Sequence, residues 1–229
     1  MSQGFLRPGA CAGGPTRAPT IARVTIRAVF FDFGGVILSS PFDAFAHYEQ
    51  ECGLPERFIR RLNSTNPDSN AWARLERSEV DLDGFAELFE GEARAAGHEL
   101  DGRAVLALLA GELRPEMAEA VRRCSQRLTT ALLTNNVVGM DNDQRFGDLL
   151  ALFDPIVESS KVGVRKPDVR FYEMACDLAR VEPTEVVFLD DLGVNLKPAR
   201  ALGMTTIKVT DPRVALAELE AVVGFSVVD

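Results

Sequence analysis

The sequence predicts an α/β fold, a doubly wound parallel sheet interrupted by an all-helical insertion. Three observations carry that expectation. Four short runs, Ala28 to Phe31, Ala131 to Leu133, Ile156 to Val157 and Val186 to Leu189, are apolar at every position, as strands buried on both faces must be. Helical patterns follow and separate the later runs, and strands that alternate with helices pair in parallel. Residues 41 to 113 break the alternation and carry helical patterns alone.

Residues 1 to 23 are rich in Gly, Pro and Ala and hold no Asp or Glu, so they have nothing to pack and no period, and they read as a flexible leader. Arg7, Arg17 and Arg23 suggest an organelle-targeting peptide, but the Gly and Pro residues would break its amphipathic helix, so a plain tail or an over-extended start is expected. The first strand follows and ends at Asp32. Next come helices expected over Phe42 to Cys52, Pro55 to Leu62, Asn70 to Arg77, Leu82 to Ala96 and Gly102 to Ala110. Pro55 fits a first helical turn, and Asp81 and Asp101 fit N-caps. The expected division is a core of residues 24–40 and 114–229 with a helical cap of residues 41–113 placed over a site. Glu116 to Gln126, Asp168 to Arg180 and Asn195 to Leu202 supply the core helices, Gly203 closes the last of them, and Thr205 to Val209 is a fifth strand.

Composition narrows the function. A chain of 229 residues has room for one domain and an insertion, and 46% apolar with 26% charged residues excludes disorder. A formal charge of −9 repels a phosphate backbone, so nucleic acid is not an expected partner. The longest apolar run, Ala104 to Ala110, is far short of the roughly 18 residues of a membrane span, so no membrane partner is expected. Cys11, Cys52, Cys124 and Cys176 lie far apart, and with His47 and His98 they form no ligand spacing, which suits a reduced, cytoplasmic protein. Trp72, Phe85, Leu88 and Phe89 fall at helical spacing and read as the core of the insertion.

An open parallel sheet places its ligand site beyond the carboxyl ends of its strands. The residues there are Asp32-Phe33-Gly34-Gly35, Thr134-Asn135-Asn136, Lys166, and Asp190-Asp191. Lys161 competes with Lys166, and the Lys166-Pro167-Asp168 context, with Pro167 in a first helical turn, selects Lys166. Asp190 and Asp191 could instead cap the following helix, and Asn195 could cap that helix or support the acids. Carboxylates gathered together raise one another's pKa, and a hard cation keeps them ionised. Mg²⁺, which takes few protein oxygens and retains water and phosphate ligands, matches such a set. Asp32 can then act as a carboxylate nucleophile towards phosphorus, with Thr134 and Lys166 binding the transferred oxygens.

The segments Phe30 to Ile37, Leu132 to Asn136, Gly163 to Asp168 and Phe188 to Met204 together resemble the haloacid dehalogenase (HAD) superfamily, from about Arg27 to Phe225. Within it the chain is similar to the N-terminal phosphatase domain of soluble epoxide hydrolase and to the HAD domain of an acyl-CoA dehydrogenase family member. The resemblance implies a Rossmann-like core, a helical cap and a Mg²⁺-dependent phosphatase acting on a small phosphorylated metabolite through an aspartyl-phosphate. It further implies that Asp32 is the nucleophile, that Thr134 and Asn135 bind phosphate, and that Lys166 is the stabilising cation. Metal ligation would fall to Asp32, the main-chain carbonyl of Gly34 and Asp191, with Asp190 at the edge. The family's phosphatase pattern D-x-D has its second Asp as general acid, and Gly34 stands there. A slow phosphatase is therefore expected. The alternatives are a metal-independent 2-haloacid dehalogenase, which needs no second Asp, and a catalytically silent domain that binds a phosphate ligand.

Overall fold

The computed structural model describes Met1 and residues 25–136 and 146–228, so the expected leader and Cys11 lie outside the described residues. The apolar runs form β1 (Ala28–Phe31), β2 (Thr129–Thr134), β3 (Ile156–Glu158) and β4 (Val186–Asp190), and β5 is Thr205–Lys208. All pair in parallel, in the order β3-β2-β1-β4-β5. Side chains alternate across this sheet. Val29, Phe31, Leu132, Val187 and Leu189 pack on one face with α6 (Pro115–Ser125) and α11 (Pro212–Val223). Ala28, Phe30, Ala131, Leu133, Val186 and Phe188 pack on the other with α9 (Val169–Ala179) and α10 (Gly193–Ala201). Phe30 and Phe31 are both wholly buried, a burial that stabilises by about 1.5–3 kcal/mol each.

The chain runs from β1 outward to β2 and β3, then returns to the other side of β1 for β4 and β5. Strand order therefore reverses between β1 and β4, and the crevice at their carboxyl ends is where such sheets bind ligands. Asp32 follows the last residue of β1 and Asp190 ends β4, and their neighbours Phe31 and Leu189 are directly paired.

Between β1 and α6 the described structure is helical: α1 (Phe42–Glu51), α2 (Phe58–Ser64), α3 (Ala71–Glu76), α4 (Leu82–Ala95) and α5 (Gly102–Ala107). Asn70, Asp81 and Asp101 cap α3, α4 and α5 through their side chains. Trp72, Phe85 and Phe89 form a separate apolar cluster, with Leu88 at its edge. Two expectations need correction. Pro55 does not open a helix: α2 begins at Phe58, because Arg57 takes a left-handed conformation (φ 58°) and the Glu49 carboxylate accepts from the N–H groups of Arg57 and Ile59 at 2.7 and 2.8 Å. The last helix stops at Ala107, because the chain must turn through Gly111, where a β-carbon would fall 2.9 Å from the Ser39 carbonyl oxygen. Among the described residues α7 (Gly147–Leu150) and α8 (Ser159–Val162) are short α-helices, and Pro183–Glu185 is a 3-10 turn before β4. No helix among the described residues is long and apolar enough to cross a membrane.

Candidate active site

The crevice between β1 and β4 gathers the charged residues singled out at the strand ends. Lys166 Nζ lies 2.8 Å from Asp32 Oδ1 and 2.8 Å from Asp190 Oδ2, and the lysine is 1% exposed. Asp191 completes a cluster in which one carboxylate oxygen from each of Asp32, Asp190 and Asp191 lies within 4.8 Å of the others. Among the described residues no other group of three or more His, Cys, Asp or Glu side chains converges in this way. Cys124 and Cys176 are buried in the two sheet-face cores, Cys52 is exposed, His47 pairs with Glu51 and His98 packs edge-on against Phe58.

Each group is held by local structure. Asp32 accepts from the Phe33 N–H at 2.7 Å, at the start of a turn in which Gly34 has φ −71°, ψ 131° and Gly35 has φ 79°, ψ −13°. Gly35 is needed twice over: its φ is positive, and a β-carbon there would lie 2.4 Å from Asp191 Oδ2. At Gly34 a β-carbon would meet nothing within 4 Å. Asp190 is fully buried, and its oxygens accept from the Leu192 N–H at 2.8 Å and from Asn195 Nδ2 at 3.1 Å each. Asn195 lies inside α10 and supports the acid; it caps nothing, and the helix begins after Leu192. Its own carbonyl accepts from the Tyr172 hydroxyl at 2.7 Å.

Thr134 ends β2 and is 8% exposed. Asn135 faces elsewhere than toward an open phosphate cradle: its Nδ2 donates to the Lys166 carbonyl at 3.0 Å and its Oδ1 accepts from the Lys166 N–H at 2.9 Å. The side chain is thus spent on fixing the lysine's backbone. Pro167 also differs from expectation, since Asp168 is the N-cap and α9 starts at Val169, which leaves Pro167 before the helix. Lys161, the rival lysine, pairs with Glu158.

Three carboxylates around one buried ammonium leave an excess of negative charge in a poorly solvated place. Burial pushes the Asp32 carboxyl up to about 8; Lys166 opposes that, and Asp190 and Asp191 add to it. Asp191 rises to about 6, mainly through burial and then through Asp190. Burial by itself would lower the Lys166 ammonium, but Asp190 and Asp32 hold it above its ordinary value. Burial and like charge therefore favour protonation of these acids in the absence of a cation. Convergent oxygens, a glycine that lets Asp191 approach the main chain, and uncompensated charge all fit a divalent ion.

A family model for haloacid dehalogenase-like hydrolases matches residues 26–203. The chain belongs to that family. This HAD hydrolase is 35% identical over 206 residues to mouse acyl-CoA dehydrogenase family member 10, covering 87% of this chain and 19% of that protein. It is 32% identical over 219 residues to pig bifunctional epoxide hydrolase 2, covering 88% of this chain and 39% of that protein. The chain thus spans about a fifth and two fifths of these relatives. An HAD family enzyme from Bacteroides thetaiotaomicron, solved in complex with magnesium and inorganic phosphate, shares the fold with a TM-score of 0.56 at 15% identity over 80% of this chain and 93% of that one.

Three residues of the HAD hydrolase at the margin of this site carry no signal in the sequence. Arg114 Nη1 donates to the Gly35 carbonyl at 2.8 Å. Glu76, at the end of α3, pairs with Arg165 at 2.5 Å, and Arg165 Nη1 donates to the Pro67 carbonyl at 2.9 Å, tying the helical segment to the residue beside Lys166. Burial raises the Glu76 carboxyl even with Arg165 and Lys166 nearby. No pattern in the sequence pairs positions 76 and 165; only the fold does.

Proposed function

We propose that this HAD hydrolase is a magnesium-dependent phosphatase that hydrolyses a small phosphorylated metabolite, an ester or an acyl phosphate, through an aspartyl-phosphate on Asp32. The observation that carries the reading is the buried cluster of Asp32, Asp190 and Asp191 around Lys166 at the strand-order switch. Asp32, the Gly34 carbonyl and Asp191 would hold Mg²⁺, which supplies positive charge against the transferred phosphoryl group. Asp190, whose oxygens are occupied by Asn195, Leu192 and Lys166, stands at the edge of that ion and orients the lysine. A carboxylate oxygen of Asp32 attacks phosphorus while the bond to the leaving oxygen breaks; water then hydrolyses the acyl phosphate, releasing inorganic phosphate and restoring the carboxylate. Lys166 and the Thr134 hydroxyl bind the transferred oxygens, and Asn135 holds the lysine loop, its phosphate contact falling to its main-chain N–H. Residues 41–113 act as a cap over a core of residues 24–40 and 114–229, and Glu76–Arg165 closes the seam between them.

Gly34 would also suit halide displacement by Asp32, but without a cation the acid cluster repels a carboxylate substrate. The test is a panel of phosphoesters and acyl phosphates with Mg²⁺. Phosphate release abolished by chelator and by Asp32→Asn is the expected result. No release from any member, or chelator-resistant turnover of 2-haloacids, would overturn the reading.

A further inference from the structure

When Asp32 takes the phosphoryl group of an alkyl phosphate, the departing oxygen is an alkoxide, about as basic as hydroxide. Water itself has a pKa of about 15.7, so such a group leaves readily only when an acid within hydrogen-bond reach protonates it. The surroundings of Asp32 decide whether that acid exists. Gly34 stands close by, exposed and without a side chain, and even a β-carbon there would meet nothing within 4 Å.

Among the described residues the other groups of the crevice are committed elsewhere. Lys166 Nζ lies 2.8 Å from Asp32 and from Asp190, and those acids hold its ammonium above its ordinary value. The oxygens of Asp190 accept from Leu192, Asn195 and Lys166. Asn135 gives its amide to the Lys166 carbonyl, and the wholly buried Tyr172 gives its hydroxyl to the Asn195 carbonyl at 2.7 Å. Glu158, opposite Thr134 in the sheet, pairs with Lys161 and accepts from Asn136 Nδ2 at 2.7 Å. Thr134 is an alcohol, no stronger an acid than the alcohol it would have to protonate. Glu76, which the helical segment brings to the lysine loop, is paired with Arg165. His47 pairs with Glu51 and His98 packs on Phe58, both within that segment. In the proposed reaction Asp32 is the nucleophile and Asp191 a metal ligand.

We propose that the substrates are acyl phosphates, mixed anhydrides of a carboxylic acid and phosphoric acid, whose leaving group departs as a carboxylate with no proton. The inference rests on the reading that Asp32 receives the phosphoryl group. In the first step a bond forms between an Asp32 oxygen and phosphorus, the bond from phosphorus to the substrate's carboxyl oxygen breaks, and the electron pair leaves on the carboxylate. One carboxyl phosphate is exchanged for another, so the step is close to balanced in energy. Water then adds to phosphorus, the Asp32 carboxylate leaves, and both protons of the water depart with inorganic phosphate. A diphosphate also needs no proton to leave. Its departing phosphate, however, brings a second negative charge into a crevice where three carboxylates already face one ammonium.

The experiment compares matched pairs in the full chain with saturating Mg²⁺: acetyl phosphate against ethyl phosphate, and benzoyl phosphate against benzyl phosphate. The members of a pair differ by a carbonyl in place of a methylene. Spontaneous hydrolysis is subtracted with Asp32→Asn, and ethyl diphosphate and Glu76→Gln complete the set. The expected result is a kcat/KM at least about 100-fold higher for the acyl member of each pair, with ethyl phosphate unaffected by Glu76→Gln. A smaller ratio in the wild type overturns the proposal and leaves the phosphatase standing, and an alkyl rate that collapses in Glu76→Gln would name that carboxyl as the donor. Faster turnover of ethyl diphosphate than of acetyl phosphate likewise overturns the substrate class alone. Release of phosphate from no member of the set refutes the phosphatase and this inference with it.

Discussion

Gly34→Asp tests whether the missing proton donor limits this enzyme. The substitution is sterically free, because a β-carbon at position 34 meets nothing within 4 Å and φ −71°, ψ 131° is an ordinary conformation for aspartate. The main-chain carbonyl remains in place. Position 34 is exposed, so the new carboxyl escapes the burial that raises Asp32, and its proton-donating role rests on its place two residues beyond the nucleophile. A positioned general acid contributes about 10²- to 10⁴-fold, which is roughly 2.7–5.4 kcal/mol of barrier at 1.36 kcal/mol per decade. That gain belongs to substrates whose leaving oxygen needs a proton. The assay is kcat/KM for an alkyl phosphate beside a nitrophenyl phosphate, at saturating Mg²⁺. The expected outcome is a gain of at least about 100-fold on the alkyl ester and little change on the nitrophenyl ester. Equal gains on both, or none in a folded protein that binds Mg²⁺ normally, would refute the assignment of position 34 to leaving-group protonation.

Lys166→Met should cost about 3–5 kcal/mol in urea unfolding with chelator, because the buried Asp190 and Asp32 lose the ammonium 2.8 Å from each. Asn195→Ala should cost about 1–3 kcal/mol in the same measurement, since both oxygens of the buried Asp190 lose its amide. The pH dependence has a definite sign. Asp32 is raised from 3.8 to about 8 and Asp191 from 3.8 to about 6, so the folded, metal-free protein binds more protons than the unfolded chain between those values and loses stability as pH rises through them. Mg²⁺ must displace those protons, so its affinity should climb from pH 6 to 8, with proton release visible as a buffer-dependent binding enthalpy; an enthalpy independent of the buffer would contradict the raised carboxyls.

The core was legible because a strand covered on both faces has no freedom in composition. Phe30 and Phe31 face opposite sides of the sheet and are equally buried, so the run must be apolar throughout, and the first polar residue after it marks the strand's carboxyl end. That rule brought Asp32, Thr134 and Asp190 into view without any tertiary information. It fails where a partner distant in sequence decides the local structure. The start of α2 depends on Glu49, which satisfies the N–H groups of Arg57 and Ile59 from a neighbouring helix, and Pro55 is a turn residue as a result. The end of α5 depends on how closely Gly111 must approach Ser39.

The same division runs through the site. Residues that bear its charge are announced by residue type and position, since a carboxylate or an ammonium at a strand end is costly to bury and calls for a reason. Residues that orient those charges are not announced, because they act on main-chain atoms that every sequence possesses. Asn135 is spent on the N–H and carbonyl of Lys166, 31 positions away, and Arg114 on the Gly35 carbonyl, 79 positions away. Neither contact leaves a compositional trace, yet both bear on how far the charged groups can move. A lysine held at both sides of its own backbone and at 2.8 Å from two carboxylates has little freedom to rearrange, so the reorganisation that would otherwise accompany charge transfer is small before any substrate arrives. Preorganisation of this kind is a property of the contacts between Asn135, Asn195, Arg114 and the strand-end residues. A chain with the same four segments and different residues at those three positions would keep the charged groups of the site while losing the contacts that hold them in place.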